Sequence, residues 1–443
     1  MPHRGDSEIS ARRSTADSVV AVSVQDQAPL AEQMPRLRLS AEQGQSIQRK
    51  TRRVLMIAST SFFADYGCHV RILEEARVLQ QMGNQVTICT YHNGRDIAGL
   101  DIRRTVPIPW RTDYEVGSSR HKMGFDVLLE WKVLSLGLQT RPDIVHGHTH
   151  EAAFIGYPLS RLLGVPLVLD FQGSMTSEMI DHRFLNPQGR LYRSARCLEE
   201  QIVRWPAAII TSSHHAQRLL TKEFACSPDK VTAIPDCVNA DSFSPGLSEE
   251  KARSLKAALG IPPERQVVVY LGLLAEWQGT GLLLQAAKQL VARQPNTHFL
   301  IMGFPAVAAY RRQAEDLGLS AHVTFTGKVP YEQAPELLAL GDVAVAPKIS
   351  ETEGSGKLLN YMAMGLPTVA FDLPVSREYL DSLGVYARPG DASSLSEAME
   401  SLLVDRERAR SLGQGLRQRA VQLYSWTNAG QMILDVYDRV SKR

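Results

Sequence analysis

The chain has 443 residues, a formal net charge of +2, 44% hydrophobic and 22% charged residues, which describes a soluble globular protein and excludes the basic composition of a nucleic-acid binder. That length exceeds one ordinary core and predicts two domains of roughly 200 residues each. The 5 cysteines form no CxxC and no paired spacing, which points to a reducing, cytoplasmic setting and away from a structural zinc or disulfide framework.

Residues 1–52 are rich in Ser, Ala, Gln and Arg and read as a disordered basic leader running into "QRKTRR". The apolar patch Val19–Val22 is too short for a signal-peptide core. No later run approaches the ~18–20 apolar residues of a membrane span.

From Arg53 onward, short β-branched runs alternate with amphipathic segments. "RVLMIAST" and "QVTICTY" read as buried parallel strands on either side of "GCHVRILEEARVLQQMG", where Val70, Leu73, Ala76 and Leu79 recur at helical spacing and stop at Gly83. Gly67 opens this segment, with Asp65 as a plausible cap. "HKMGFDVLLEWKVLSLGLQ" sets Phe125, Leu128, Leu129, Val133 and Leu136 beside Lys122 and Lys132, which suits a core-facing helix or one lying on a membrane surface. The pattern continues through "PDIVHGHTH", "VPLVLDFQG", "PAAIITSS" and "KVTAIPD". Such alternation predicts an α/β fold with a doubly wound parallel sheet, binding ligands at the carboxyl ends of its strands.

At "DCVNADSFSPG" the composition shifts to turn formers, and a second series begins with "VVVYLGLL", "HFLIMG", "HVTFTG" and "DVAVAPK". This predicts a second parallel sheet. A final helix over roughly 415–442, with Leu423, Tyr424, Trp426, Met432, Ile433 and Val436, is expected to pack back on the first domain.

After "DVAVAPK" come Gly354, Ser355, Gly356 and Lys357, directly ahead of a helix. A nucleotide-triphosphate P-loop needs Gly, four residues, then Gly-Lys-Ser/Thr. Here Glu351 stands five before Gly356 and Leu358 follows Lys357, so the motif fails twice. What survives is a general phosphate cradle, in which open backbone amides, a helix start and an ammonium converge. An ordinary Gly-Ser turn with a snorkelling lysine fits the same residues.

With both halves read, the order of landmarks resembles the GT-B glycosyltransferases, and most closely the retaining, nucleotide-sugar-dependent glycosyltransferase family four. The landmarks include "GNQVTICT", "PDIVHGHTH", "AAIITSSHHAQRLL", "KVTAIPDCVNADSFSP", "VVVYLGLLAEWQG" and "GKLLNYMAMGLPTVA". The resemblance implies a GT-B fold: an acceptor domain over 53–238, a nucleotide-sugar domain over 239–414, and a C-terminal helix over 415–443 packing back. It also implies that the Gly354–Lys357 segment faces the donor diphosphate. Backbone amides and Lys357 would stabilise the negative charge that develops on that leaving group. Neither a metal nor another cofactor is expected, in keeping with the lack of an Asp-x-Asp motif.

Three departures from the family pattern stand out. The diphosphate-gripping Arg and Lys of the family fall on Leu273, beside Gly272, and on Gln278. Of two glutamates eight apart, the second falls on Asn360 and the first on Thr352, or with a small shift on Glu351 or Glu353. The active-site His aligns with Gln172. The candidate site on this reading has Lys357, Gln172 and His148 at the chemistry. Gly272, Gln278, Gly303, Glu353, Gly354, Ser355, Gly356 and Asn360 stand around the donor, and Gly67, Asp170 and Gly173 on the acceptor side. Asp170 would orient Gln172 or cap the next turn.

His146, His148 and His150 alternate, so an extended "IVHGHTH" would aim all three to one side. No metal is expected there, because only Glu151 adds a ligand nearby, and His148 is instead expected to line the pocket. The expected activity is sugar transfer from a nucleoside diphosphate donor to a hydroxyl of a lipid carrier, polysaccharide or small molecule. A non-catalytic sugar- or nucleotide-binding scaffold and a related phosphorylase or epimerase remain alternatives. The expected setting is the cytoplasm, with membrane contact if the amphipathic segment is interfacial.

Overall fold

The computed structural model describes residues 50–65, 67–107, 122–181, 185–350 and 354–442. Seven strands form the first sheet: β1 (Arg53–Ala58), β2 (Gln85–Thr90), β3 (Asp101–Arg104), β4 (Ile144–His148), β5 (Leu167–Phe171), β6 (Ala208–Thr211) and β7 (Val231–Ala233). Helices α1 (Gly67–Gln81), α2 (Lys122–Thr140), α3 (His150–Leu163), α4 (Met175–Asp181), α5 (Arg190–Ile202) and α6 (His214–Lys222) alternate with them. Every neighbouring pair is parallel, in the order β3-β2-β1-β4-β5-β6-β7. Strands β4, β5 and β6 are buried at every position, which is why they read as unbroken apolar runs.

After α7 (Glu249–Ala258), a second parallel sheet has β8 (Gln266–Leu271), β9 (Thr297–Met302), β10 (Val323–Gly327), β11 (Val343–Ala346), β12 (Thr368–Phe371) and β13 (Val385–Ala387), ordered β10-β9-β8-β11-β12-β13. Its helices are α8 (Thr280–Arg293), α9 (Val307–Asp316), α10 (Ala334–Leu338), α11 (Gly356–Ala363), α12 (Pro374–Leu380) and α13 (Ala392–Val404). In both sheets the strand order reverses once, between β1 and β4 and between β8 and β11. Such switch points open a crevice at the carboxyl ends of the strands.

The C-terminal helix departs from expectation. The single helix predicted from about residue 415 is two, α14 (Arg406–Leu423) and α15 (Trp426–Ser441). The chain breaks at Tyr424 because it crosses there between the sheets: Val238 N–H donates to Tyr424 O at 2.9 Å, and Ser425 caps α15 by accepting from Asn428 N–H at 3.3 Å. Helix α14 lies on α11, whereas α15 lies on α1 and adds Ile433, Leu434 and Tyr437 to the core under β1. Strands β3 and β13 were not anticipated, since both are short edge strands lacking a buried apolar run.

The α2 stripe is core: Phe125, Leu129 and Val133 are buried under the first sheet. No helix among the described residues is long and apolar enough to cross a membrane.

Domains are also tied directly. The Glu378 carboxylate on α12 accepts from His214 N–H at 2.9 Å and His215 N–H at 3.4 Å, capping α6 from the opposite domain. Asp65 does not serve simply as a local cap; its carboxylate accepts from Tyr331 N–H at 3.1 Å and pairs with Lys328 at 3.1 Å and Arg95 at 2.7 Å.

Helix α15 approaches α1 so closely that a Cβ on Gly430 would stand 2.7 Å from Val78 Cγ2. Gly430→Val should therefore destabilise the chain by about 1–3 kcal/mol through overpacking. Urea denaturation would show it as a lowered midpoint; an unchanged midpoint would mean that α15 is not locked on α1.

Candidate active site

The carboxyl ends of both sheets face one cleft enclosing about 340 Å³. From the first domain it is lined by Ser59 and Thr60 after β1, Thr149 after β4, Gln172 and Gly173 after β5, and Ser212 after β6. Thr149 holds φ at 77°, a left-handed conformation costly for a β-branched residue. Its Oγ1 donates to Glu151 at 2.7 Å and lies 2.8 Å from Ser59 Oγ, fixing this rim.

The second domain supplies the Gly272 and Gly303 turns, the Trp277–Gln278 turn, Lys348, the Gly354–Lys357 stretch and Asn360. Lys357, in the first turn of α11, donates to Gln278 Oε1 at 2.7 Å and to the Tyr270 hydroxyl at 3.3 Å. Its ammonium also lies 4.5 Å from the Tyr270 ring centroid. Gly272 leaves room for this arrangement, since a Cβ there would meet Lys357 Nζ at 2.6 Å. Lys348 is 5% exposed, and its ammonium donates to Gly354 O at 2.8 Å. Two cations thus flank the start of α11, where backbone N–H groups lack intrahelical partners.

Beneath the first-domain side lies a buried ionic cluster. Arg71 on α1 donates to both Asp170 oxygens at 2.9 Å, to Asp236 at 2.9 Å and to Ile234 O at 3.2 Å, and its Nε lies 3.1 Å from Glu75. Burial alone would lower the Arg71 pKa, but Asp170, Glu75 and Asp236 together hold it well above its ordinary value. Burial likewise opposes ionisation of Asp170, yet Arg71 and His148 hold that carboxyl far below the usual range. Burial pushes Glu75 and Asp236 the other way, upward. Asp170 also accepts from Gln172 at 2.8 Å, which aims that amide into the cleft.

Family models match both halves in sequence order: Glycosyltransferase Family 4 over residues 67–242 and Glycosyl transferases group 1 over residues 251–419. Together the two models place the chain among the glycosyltransferases. Among curated relatives, the D-inositol 3-phosphate glycosyltransferase of Jonesia denitrificans is 25% identical over 84% of this chain and 91% of its own length. The alpha-D-kanosaminyltransferase of Streptomyces kanamyceticus is 26% identical over 67% of this chain and 77% of its own. Among solved structures, Anabaena HepE in complex with UDP and glucose aligns with a TM-score of 0.72 at 15% identity, over 87% of this chain and 99% of that one. Sucrose-phosphate synthase from Thermosynechococcus elongatus aligns at 0.75 with 18% identity, over 88% and 99%. The fold is GT-B.

In this glycosyltransferase, Lys357, Gln278, Gly272, Gly303, Gly354, Ser355, Gly356, Asn360, Gln172, Gly173 and Gly67 all border the cleft. Glu353, with Glu351 and Thr352, lies outside the described residues. His148 and Asp170 are corrections: both are fully buried and neither borders the cleft. They form the last pair of the β4–β5 register, directly opposite each other, with Asp170 held by Arg71 of α1 and His148 by Asp170. Gly67 borders the cleft without steric need for glycine, since a Cβ there would meet nothing within 4 Å.

Sequence reasoning missed Arg71, Asp236, Lys348, Ser212 and Trp277. The one available signal was Arg71 with Glu75, an i,i+4 pair on an otherwise apolar helix face.

His69 braces the β1 loop. Its Nδ1 accepts from Ala64 N–H at 2.7 Å and its Nε2 lies 2.5 Å from Thr60 Oγ1. Burial pushes its pKa down to about 3 from 6.5. Unfolded chains therefore take up this proton below about pH 6.5 while folded chains refuse it until about pH 3, so stability falls as pH is lowered through that window. Urea titrations between pH 7 and 4 should show His69→Gln losing about 1.4 kcal/mol per pH unit less than the parent chain. Equal slopes would remove His69 from the acid response.

Proposed function

We propose that the protein moves a sugar from a nucleoside diphosphate donor to an acceptor hydroxyl with retention of anomeric configuration. The observation that carries this reading is the pair of lysines, 348 and 357, at the Gly354–Gly356 turn and the start of α11. Cleaving the sugar–phosphate bond leaves about two negative charges on the diphosphate, and cations beside unpaired helix amides stabilise them as they form. On this reading Lys348 and Lys357 replace the cations missing at Leu273 and Gln278, and no metal ion is needed at the leaving group. Gln278 becomes the residue that aims Lys357.

Two buried hydroxyls, Ser212 Oγ from the first domain and Ser355 Oγ from the second, border the cleft and lack partners among the described residues. A buried hydroxyl costs free energy until it is hydrogen-bonded, so a donor phosphate or sugar hydroxyl between the domains would satisfy both. Asn360, and Glu353 beyond the described residues, are assigned to the ribose or sugar. Gln172 and Gly173 are assigned to the acceptor side, with His148 and Asp170 as positioning residues behind Gln172. Retention is assigned to front-face attack: the C1–phosphate bond breaks, the acceptor oxygen bonds to the same face of C1, and its proton passes to a diphosphate oxygen. A UDP-sugar is the first donor to try, since HepE, which shares the fold, was solved with UDP-glucose.

A lipid-carried acceptor is favoured by one face of the first domain. Val127 and Trp131 on α2, Phe154 and Leu162 on α3, and Leu191 on α5 are exposed on consecutively packed helices, with Trp131 at 75% and Leu191 at 74%. Exposed Arg161, Arg190 and Arg193 lie on the same helices. Apolar side chains among arginines suit the surface of an anionic bilayer.

A nucleotide-sugar panel is expected to yield one donor that raises the melting temperature and is slowly hydrolysed, with Lys357→Met lowering kcat/KM by at least about 100-fold. Binding without hydrolysis or transfer would point to a non-catalytic scaffold, and strict dependence on inorganic phosphate to a phosphorylase. Vesicle flotation tests the lipid reading separately. The chain should co-float with anionic but not zwitterionic vesicles, and Trp131→Ser with Leu191→Ser should reduce that by at least tenfold. No flotation would favour a soluble acceptor.

A further inference from the structure

The buried floor below Gln172 contains a side-chain cluster whose inward-facing nitrogen and oxygen atoms have no direct part in sugar transfer. Glu75 on α1 and His146 and His148 on β4 are each fully buried. One ligand atom from each lies within 4.8 Å of the other two. Among the described residues, both imidazole Nε2 atoms and both Glu75 carboxylate oxygens lack a hydrogen-bond partner, although Glu75 Oε1 is 3.1 Å from the Arg71 guanidinium. The alternation of His146, His148 and His150 is therefore met in part. His150 leaves with α3 and pairs with Glu199 at 3.3 Å, and Glu75 joins the other two from a distant helix.

The far side of each ring is already held. His148 Nδ1 is 3.1 Å from Asp170 Oδ2, an oxygen that also accepts from Arg71 and Gln172. Nδ1 must donate there, so in the neutral, metal-binding form of the ring Nε2 presents a lone pair. His146 Nδ1 is 2.8 Å from the Tyr437 hydroxyl, and the two rings stack with centroids 4.5 Å apart. A carboxylate or hydroxyl on the outer nitrogen is how proteins orient metal-ligating histidines. Two imidazoles and one carboxylate form a donor set for zinc and similar cations, whereas magnesium and calcium prefer oxygen alone.

Charge points the same way. The cluster confronts one guanidinium with the carboxylates of Glu75, Asp170 and Asp236. A divalent cation at the convergence is attracted by these carboxylates and takes lone pairs from both imidazoles.

We propose that Glu75, His146 and His148 bind one divalent transition-metal cation, with zinc the expected ion. The ion would clip α1 to β4 and hold the Arg71–Asp170 pair that aims Gln172. It would be structural, because none of its three ligands borders the cleft.

The full chain, purified without chelator, should contain stoichiometric zinc by plasma mass spectrometry. After chelation, added cobalt(II) should give the visible d–d bands of a low-coordinate nitrogen–oxygen site. Glu75→Gln keeps the side-chain volume and should weaken metal binding by at least about 100-fold, more than the loss of an outer hydrogen bond. Should that variant fail to fold, histidine-labelled parent chain carries the test: zinc should shift the Nε2 resonances of two buried histidines while the Nδ1 contacts persist. Absence of zinc together with no cobalt bands or histidine shifts on addition overturns the proposal. Cobalt bands unchanged in folded Glu75→Gln overturn it equally.

Discussion

One buried guanidinium organises the cleft. Arg71 draws together carboxylates from three separate segments: Glu75 one turn along α1, Asp170 at the end of β5, and Asp236 on the strand-to-domain crossing after β7. Removing one partner of such a buried cluster typically costs 3–5 kcal/mol, because the remaining charges stay desolvated and unpaired. Its outward effects matter more here. Through Asp170 it sets the direction of Gln172, and through Asp236 it reaches the second domain, where that carboxylate packs against Gly354. The floor under Gln172 and the Gly354 loop, acceptor and donor sides on the proposed reading, therefore share one cation.

The donor wall follows a similar logic. A leaving diphosphate requires positive charge at a given place, and electrostatics does not specify which chain position supplies it. Gln278, where a cation was expected, instead accepts from Lys357 at 2.7 Å and so limits where that flexible ammonium can go. Lys348 reaches the same loop from the end of β11. On the proposed reading, the charge needed by the chemistry is present but arrives from the α11 side of the cleft.

Much of the architecture was legible because a parallel sheet covered on both faces demands continuous apolar runs, and "RVLMIAST", "VPLVLDFQG" and "VVVYLGLL" supply them. The edges were not: β3 reads "DIRR", with no fully buried position. The break at Tyr424 was equally hidden, since apolar residues run through it and only the crossing beside Val238 explains the turn. In the site, the turn glycines and Lys357 could be read from local chemistry. Arg71 could not, because charge on a helix ordinarily means solvent, and its partner Asp170 stands 99 positions away. His148 and Asp170 misled for a related reason. The end of a strand marks the cleft, but the parity of the pleat decides whether a side chain enters it or turns beneath it.

The glycines that first suggested a phosphate loop acquire a more specific cause. Gly356 does not hold a left-handed φ, and a Cβ on it would come no nearer than 3.9 Å to Asp236. Gly354 differs: a Cβ there would stand 2.5 Å from Asp236 Oδ2 and 3.1 Å from Ser212 Oγ, both in the opposite domain. Glycine at 354 is thus required by the approach of two domains. That same approach brings the unpartnered Ser212 and Ser355 hydroxyls to one cleft. A side chain at 354 would hold the domains apart and move Asp236 on the arginine that fixes Gln172. On the proposed reading, phosphate binding and domain closure are therefore one constraint on this loop, and its residues resemble a nucleotide motif while failing that motif's spacing.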